Sequence, residues 1–402
     1  METNYDQIIE KSEATLDSTT LDRINQSVDL IVNAKQNGKK VVVVTGSGPN
    51  IHEGVTTLIA ELMRLDIIDG VTTSSAVIAH EMGGTLDKVK RCQGESVGVK
   101  PYLLPYGGDF ELTELSPAVL ESIESYMQID RELIEQLKKA EGKTIIKAAG
   151  NLGYPVGLWL ERISMEIAML ARSHGMCFEE VAGLGASERT MIGMGAKKNI
   201  PVIVTIPQLI GGGMVGLCIG DSISITERAN RLANLLRDAD VIIESGVALT
   251  QEIHDGPLER YTGHGLWSAW QGHPTYSLEG KTIIRIDLDP ALDKAWQIER
   301  EGGNVQKAIA DGQPKTKMFK IPFRMEMSGF ARLPNSLPVI GDLGLIWPAI
   351  TRRLAKKLDL QLGFISYPQQ TDAGKAMREE IVDQVQPIDF TKATAKLRSI
   401  KE

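Results

Sequence analysis

The sequence predicts an α/β fold with a mostly parallel sheet flanked by helices. Three observations predict it. Residues 41–44 are four consecutive valines, and such a run fits a strand buried on both faces, as in a parallel sheet covered by helices. Short apolar runs of this kind recur along the chain. Stretches with apolar residues at helical spacing separate them, which is the pattern of repeated strand–helix units.

The elements follow in order. Ile8, Ile9, Leu16, Leu21, Ile24, Val28, Ile31 and Val32 sit at helical spacing, so residues 1–36 are expected to form N-terminal helices packing on the main domain. Asn37 and Gly38 stop them, and Lys40 to Val44 begins the first strand. Thr57 to Arg64 reads as a helix and Gly70 to Ser75 as a short strand. Thr144 to Ala148 is the next strand, with a helix from about Leu158 to Ser173. Pro201 to Ile206, Asp240 to Glu244 and Thr282 to Asp287 read as further strands, and Val339 to Asp342 ends the last one before a helix from Leu345 to Lys356. The α/β domain is expected over 37–365. Within it, 93–140 is expected to be irregular, because 93–117 is rich in Gly and Pro. Residues 366–402 are polar and read as a peripheral C-terminal segment.

Composition excludes several functions. Lys and Arg number 44 against 52 Asp and Glu, a net charge of −8, which argues against a nucleic-acid partner. Cys92, Cys177 and Cys218 form no Cys-x-x-Cys pair, so a zinc ribbon is disfavoured and a reducing compartment is expected. The polar N-terminus does not read as a signal peptide, and no apolar stretch is long enough to span a membrane. The expectation is a cytoplasmic protein. The Gly-x-Ser-x-Gly pattern occurs once, at Gly94–Gly98, within the Gly- and Pro-rich stretch rather than as an elbow between a strand and a helix, and no P-loop occurs, which disfavours a serine hydrolase and a P-loop NTPase.

Candidate chemistry lies at strand ends. Gly46-Ser47-Gly48-Pro49 follows the valine strand, where ligands of open α/β sheets bind and where glycine lets backbone approach a phosphate. A plain strand–helix turn is the competing reading. Gly211-Gly212-Gly213 follows another strand, and three glycines carry a large entropic cost in a regular element. Close backbone contact with a ligand is favoured there over a flexible surface loop. In IIRIDLDPAL, Asp289 reads as a helix cap before Pro290, and Asp287 as a contact to ribose hydroxyls. Ser74, Ser75, Glu244, Ser245 and Asp342 close other strand ends and complete the candidate cofactor set. His80 and Glu81 lie side by side where acid–base work or a polar helix face are alternatives. His254, His264 and His273 are spaced by ten and nine, which matches no zinc pattern, so no metal is expected. With Trp267, Trp270 and Tyr261 they make the 250–280 loop a candidate substrate-binding loop; packing under a long loop is the alternative. His80, Glu81 and Asp255 are the candidate catalytic groups. His52, Asp221, His264 and Trp267 are the candidate substrate contacts.

These motifs, in this order, resemble the deoxyhypusine-synthase-like group of NAD-binding proteins. Within it the chain is most similar to the LOR/SDH-type family, which includes archaeal and cyanobacterial ornithine cyclodeaminases. The resemblance rests on VVVVTGSGPNIHEG, DGVTTSSAVIAHEM, GASERTMIGMGAKKNIPVIV, IIRIDLDPALDKAW and VIGDLGLIWPAI, and spans roughly residues 40 to 350. It departs from the family at Ser74-Ser75, where Gly-Asn is expected, and over 93–140. No lysine matches the one with which deoxyhypusine synthase holds its substrate. The resemblance implies a Rossmann-like NAD site, a homo-oligomer, and a small-molecule substrate that is a basic amino acid or polyamine. Its chemistry would be transient hydride transfer through an imine, as in cyclodeamination, with aminoalkyl transfer as an alternative. A non-catalytic nucleotide- or ligand-binding protein is the rival class. Glu81, Asp221, Glu244 and Asp255 are carboxylates compatible with a cationic substrate.

Overall fold

The computed structural model describes residues 4–150, 153–246, 250–263, 265–321 and 325–399. Helices α1 (Asn4–Glu13) and α2 (Ser18–Gln36) precede the first strand. Asp17 caps α2 by accepting from the Thr20 amide at 2.9 Å. Strand β1 (Val41–Thr45) leads through the short α3 (Pro49–His52) into α4 (Val55–Arg64), then β2 (Gly70–Thr73) and α5 (Ser75–Met82). The β1 valines divide between two cores, as a strand buried on both faces must. Val41 and Val43 pack with the α2 and α4 side of the sheet, and Val42 and Val44 with the opposite side. Burying such a side chain stabilises the fold by roughly 1.5–3 kcal/mol.

Residues 86–154 then leave the main sheet. Strands β3 (Leu86–Gln93), β4 (Asp109–Thr113), β5 (Gly142–Ala148) and β6 (Gly153–Tyr154), with helices α6 (Pro117–Glu124) and α7 (Arg131–Lys139), form a separate four-stranded sheet of order β5-β3-β4-β6. β3 is antiparallel to β4 and β5. The 93–140 segment is therefore largely ordered secondary structure, and the 144–148 strand belongs to this insert rather than to the parallel sheet. Strand β3, LDKVKRCQ, carries four charged residues among its eight, unlike the apolar run of β1, and antiparallel sheets accommodate such residues because one face can meet water.

The chain returns through α8 (Val156–His174), α9 (Phe178–Gly185), α10 (Met191–Lys198), β7 (Val202–Val204), α11 (Met214–Ser222), α12 (Ile225–Asp238) and β8 (Val241–Ser245). Next come α13 (Thr250–Asp255), α14 (Gly265–Trp270), β9 (Thr282–Asp287), α15 (Pro290–Gly302), α16 (Asn304–Ala310), α17 (Lys315–Phe319), α18 (Met325–Arg332) and β10 (Ser336–Ile340). Finally α19 (Leu343–Leu358), α20 (Asp372–Gln384) and α21 (Phe390–Ser399) close the fold. The main sheet has the order β10-β9-β8-β1-β2-β7, and every pairing in it is parallel. Counted along the chain within that sheet, this is 3-2-1-4-5-6, the doubly wound order of dinucleotide-binding folds. Its switch point lies between β1 and β8.

The first helix and the segment after Ser366 are both bound into this body. Arg352 of α19 donates to Asp6 at 2.6 Å, and Arg353 grips Glu13 with both terminal nitrogens. Residues 366–399 run back across the insert and the sheet. The Ile388 amide donates to Met82 O and the Asp389 amide to Gly185 O, while Ser366 is fully buried. The polar composition of this segment belongs to its outer face.

Candidate functional site at the switch point

The carboxyl ends of β1 and β8 frame a crevice. After Thr45 the backbone passes through Gly46, Ser47 and Gly48; Gly48 has φ +67° and ψ −117° and is the residue before α3. A side chain there is strained, and glycine adopts the conformation freely. A Cβ on Gly48 would meet nothing within 4 Å, so open space borders this turn. Across the crevice Gly246 also has a positive φ, and its nearest neighbour would be Asn50 Nδ2 at 3.8 Å. Asn50 ties the walls together: its Nδ2 donates to Ser245 O at 3.2 Å, and its Oδ1 accepts from Ser245 Oγ at 2.5 Å. Trp347 Nε1 donates to the same hydroxyl at 2.8 Å. Ser245 thus builds the wall of the crevice. Asn50 and Trp347 were not singled out in the sequence, since their partner lies 195 and 102 residues away.

A second glycine turn lies against the start of α5. Ser75 Oγ donates to Gln208 O at 2.7 Å and accepts from the Gly212 amide at 2.9 Å. A Cβ on Gly212 would lie 2.6 Å from Ser75 O, so glycine is required by close approach. Gly213, with φ +61°, precedes α11 and faces open space. Ser74 caps α5 through the Val77 amide.

Other predicted cofactor groups are committed inside the protein. Asp287 is buried at the end of β9, two strands from β1. It accepts from Arg285 Nη2 at 3.2 Å and from the Asp289 amide at 3.0 Å. In this strand order the ribose-binding acid belongs after the second strand, where Thr73 and Ser74 stand, so the structure does not place Asp287 at a ribose. Glu244 is fully buried, with His254 Nε2 2.5 Å from its Oε1 and Arg285 Nε 3.9 Å from its Oε2. Asp342 caps α19 through the Gly344 amide at 2.7 Å, and Asp289 caps α15 as expected.

The structure separates the predicted catalytic groups. Asp255 pairs with Arg332 at 3.4 Å, on the β8–β9 side of the sheet, away from His80. Glu81 is buried, and its two oxygens accept from the Met191 and Ile192 amides at 2.8 and 3.1 Å. It secures the start of α10 instead of facing a ligand. Burial pushes its pKa up to about 7, against the pull of those two amides. Asp221 is an exposed partner of Arg172. Trp267 is exposed and stacks on Trp270, with ring centroids 5.9 Å apart. His264 lies outside the described residues. The 250–280 loop is organised by a residue the sequence did not single out, Glu259: it is fully buried and accepts from the amides of Tyr261, Thr262, Gly263 and Leu278.

His52 and His80 are brought together. Both are partly exposed, and they lie within electrostatic reach of each other. The His80 Nδ1 lies 2.6 Å from Ala149 O. A carbonyl oxygen only accepts, so Nδ1 carries the proton and Nε2 of the neutral ring is free to take one. Burial, and Lys147 behind it, lower the His80 pKa, while the Ala149 bond opposes them. Burial, then the charge of Arg378, lower that of His52. Asp87, buried near Lys147, has its carboxyl pushed up to about 6, chiefly by burial. Arg378 comes from α20 and Lys147 from the insert; no local sequence signal marks either.

Fold and site together define a doubly wound α/β protein with a glycine on each side of its switch point, Gly48 and Gly246, a further glycine turn beyond β2 and β7, and a histidine pair. No protein-family model matches the chain, and no curated protein does. Among solved structures it is similar to ArgZ, an arginine dihydrolase from the ornithine-ammonia cycle in cyanobacteria, at 15% identity and a TM-score of 0.38 over 86% of this chain and 32% of that one. It is also similar to AgrE in a ternary complex with ornithine and NAD+, at 14% identity and 0.38 over 86% and 34%, and to a LOR/SDH protein from Methanococcus maripaludis S2, at 12% and 0.38 over 84% and 70%. The chain spans about a third of the length of the first two. At these scores the likeness carries no weight, and the reading below rests on the chain's own topology and side chains.

Proposed function

We propose that the chain is an NAD-dependent enzyme acting on an amino acid or amine. The observation that carries this reading is the 3-2-1-4-5-6 strand order with open, positive-φ glycines, Gly48 and Gly246, on both sides of its switch point. That is where a dinucleotide's phosphates approach backbone most closely. Gly46, Ser47, Gly48 and Pro49 would hold the pyrophosphate on one wall and Gly246 on the other, with Gly211, Gly212 and Gly213, beyond β2 and β7, holding a more distant part of the cofactor. When bound, NAD supplies transient acceptance of a hydride from a carbon bearing an amine, which leaves an imine on the substrate. His80 takes the amine proton at Nε2, because Ala149 O holds the other proton on Nδ1. His52 flanks the same space and, kept neutral by burial and Arg378, leaves it without added positive charge at neutral pH.

The test is binding of NAD to the purified chain, by mass spectrometry of co-purified nucleotide and by calorimetric titration, with Gly48→Val as control. Wild type is expected to bind. The variant is expected to fold and lose binding at least tenfold, since a β-branched side chain cannot readily adopt φ +67° and would project into the open space. No binding by the wild type would sink the reading.

A further inference from the structure

One cation in this region has no counter-ion among the described residues. Arg378 sits on α20, where the adjacent Met377 closes against Gly54: a Cβ on Gly54 would stand 2.7 Å from Met377 Sδ. The Arg378 Nη2 donates to Ile146 O, while its Nε is buried with no hydrogen-bond partner among the described residues. No carboxylate among the described residues lies within ion-pair distance of it. Glu53 and Glu379 act on it only from farther away. Glu53 is held by Gln369 through both its backbone and side-chain nitrogens, and Glu379 lies 3.7 Å from Lys88. Nearby, Lys147 is occupied by Glu111 at 2.5 Å, and Glu111 is shared with Arg91. A partly buried guanidinium without an anion is costly, and an oxyanion would offset that cost.

We propose that Arg378 is the seat of a carboxylate group of the substrate, beside the His52–His80 pair and between α3, α5, β5 and α20. This deepens the function proposed above and rests on it for the nature of the site. It also revises what the site recognises. The four carboxylates expected to hold a cationic substrate are all engaged within the protein: Glu81 by amides, Asp221 by Arg172, Glu244 by His254 and Asp255 by Arg332. The group left to select a substrate is Arg378, whose charge favours a carboxylate over a neutral amide. It orients the substrate so that the amine end faces the Nε2 of His80. A cofactor phosphate is the other source of an oxyanion, and the test separates the two.

The experiment is a side-chain NMR titration of His52 and His80 in the full chain, with malonate as probe. In the wild type, malonate is expected to raise the His52 midpoint saturably, because it neutralises the Arg378 charge, which adds to burial in depressing it. R378Q should show a higher His52 midpoint without malonate and no response to it; R378K should respond with at least fivefold weaker affinity. NAD affinity of R378Q, measured on the same samples, should stay within twofold of wild type. Equal malonate responses in wild type and R378Q, or none in wild type, would overturn the proposal. So would loss of NAD binding in R378Q, which would give Arg378 to the cofactor phosphates. If the wild type binds no NAD, the function proposed above fails, and the malonate result alone decides the anion seat.

Discussion

A carbonyl oxygen only accepts, so the 2.6 Å contact from Ala149 to His80 fixes a tautomer that the sequence could not show. The His80 pKa is lowered, first by burial, so the ring is neutral at pH 7 and its Nε2 is available as a base. His80→Ala is expected to keep NAD binding and lose turnover by 10²-fold or more; full activity would remove His80 from the chemistry. The wild-type kcat/KM should be flat above pH 7 and fall only below the ordinary imidazole range. Asp87 gives a stability prediction. Its pKa is raised to about 6, chiefly by burial, so the folded state binds more protons than the unfolded state between about pH 4 and 6. Stability attributable to Asp87 therefore falls as pH rises through that window and levels off above it. Asp87→Asn keeps an acceptor for the Gly150 amide and is expected to be more stable than wild type at pH 7, by on the order of 2 kcal/mol, and equal at pH 4. Urea unfolding across pH 4–7.5 checks this; parallel curves would contradict it. Glu81 shows why residue roles were hard to read in the sequence. The amides that claim it are 110 residues away, so the helix start it secures carries no mark beside it.

At the scale of elements, the glycine loops were legible and their supports were not. Gly48 and Gly213 stand where strand ends and φ-demanding turns coincide, and glycine itself is the signal. The loop from 208 to 213 is held by one hydroxyl, Ser75 Oγ, through Gln208 O and the Gly212 amide. Ser75→Ala leaves a buried N–H without an acceptor, which costs about 1–3 kcal/mol. Faster hydrogen exchange across residues 209–216 and several-fold weaker NAD binding are expected; unchanged exchange would show that the loop is held otherwise. Thr282–Asp287 was read with its observed bounds, because its apolar run ends sharply at charge. The 144–148 strand was read correctly as a strand and placed in the wrong sheet, since a short strand does not encode its partner. The segment after Ser366 was read by its polar outer face alone, which concealed Met377, Ile381 and Phe390 packed inward.

At the scale of the molecule, strand order decides where a ligand belongs. A groove of about 690 Å³ runs beside β7, lined by Lys40, Asp69, Pro201, Arg231 and Asp238 among others. Those residues precede β1, β2, β7 and β8 or lie on α12, so the groove opens at the amino ends of the strands. Open α/β sheets bind ligands at the carboxyl ends, at the switch point, and the open glycines lie there. The order itself was only partly legible: alternation predicted a parallel sheet, but which strand follows which across the sheet is fixed by tertiary packing. The most direct test is a crystal structure of the chain with NAD+. The pyrophosphate is predicted to lie between the Gly46–Gly48 turn and Gly246, beyond the ends of β1 and β8. NAD+ seated instead in the groove beside β7, or no nucleotide in crystals grown at saturating NAD+, would contradict the account.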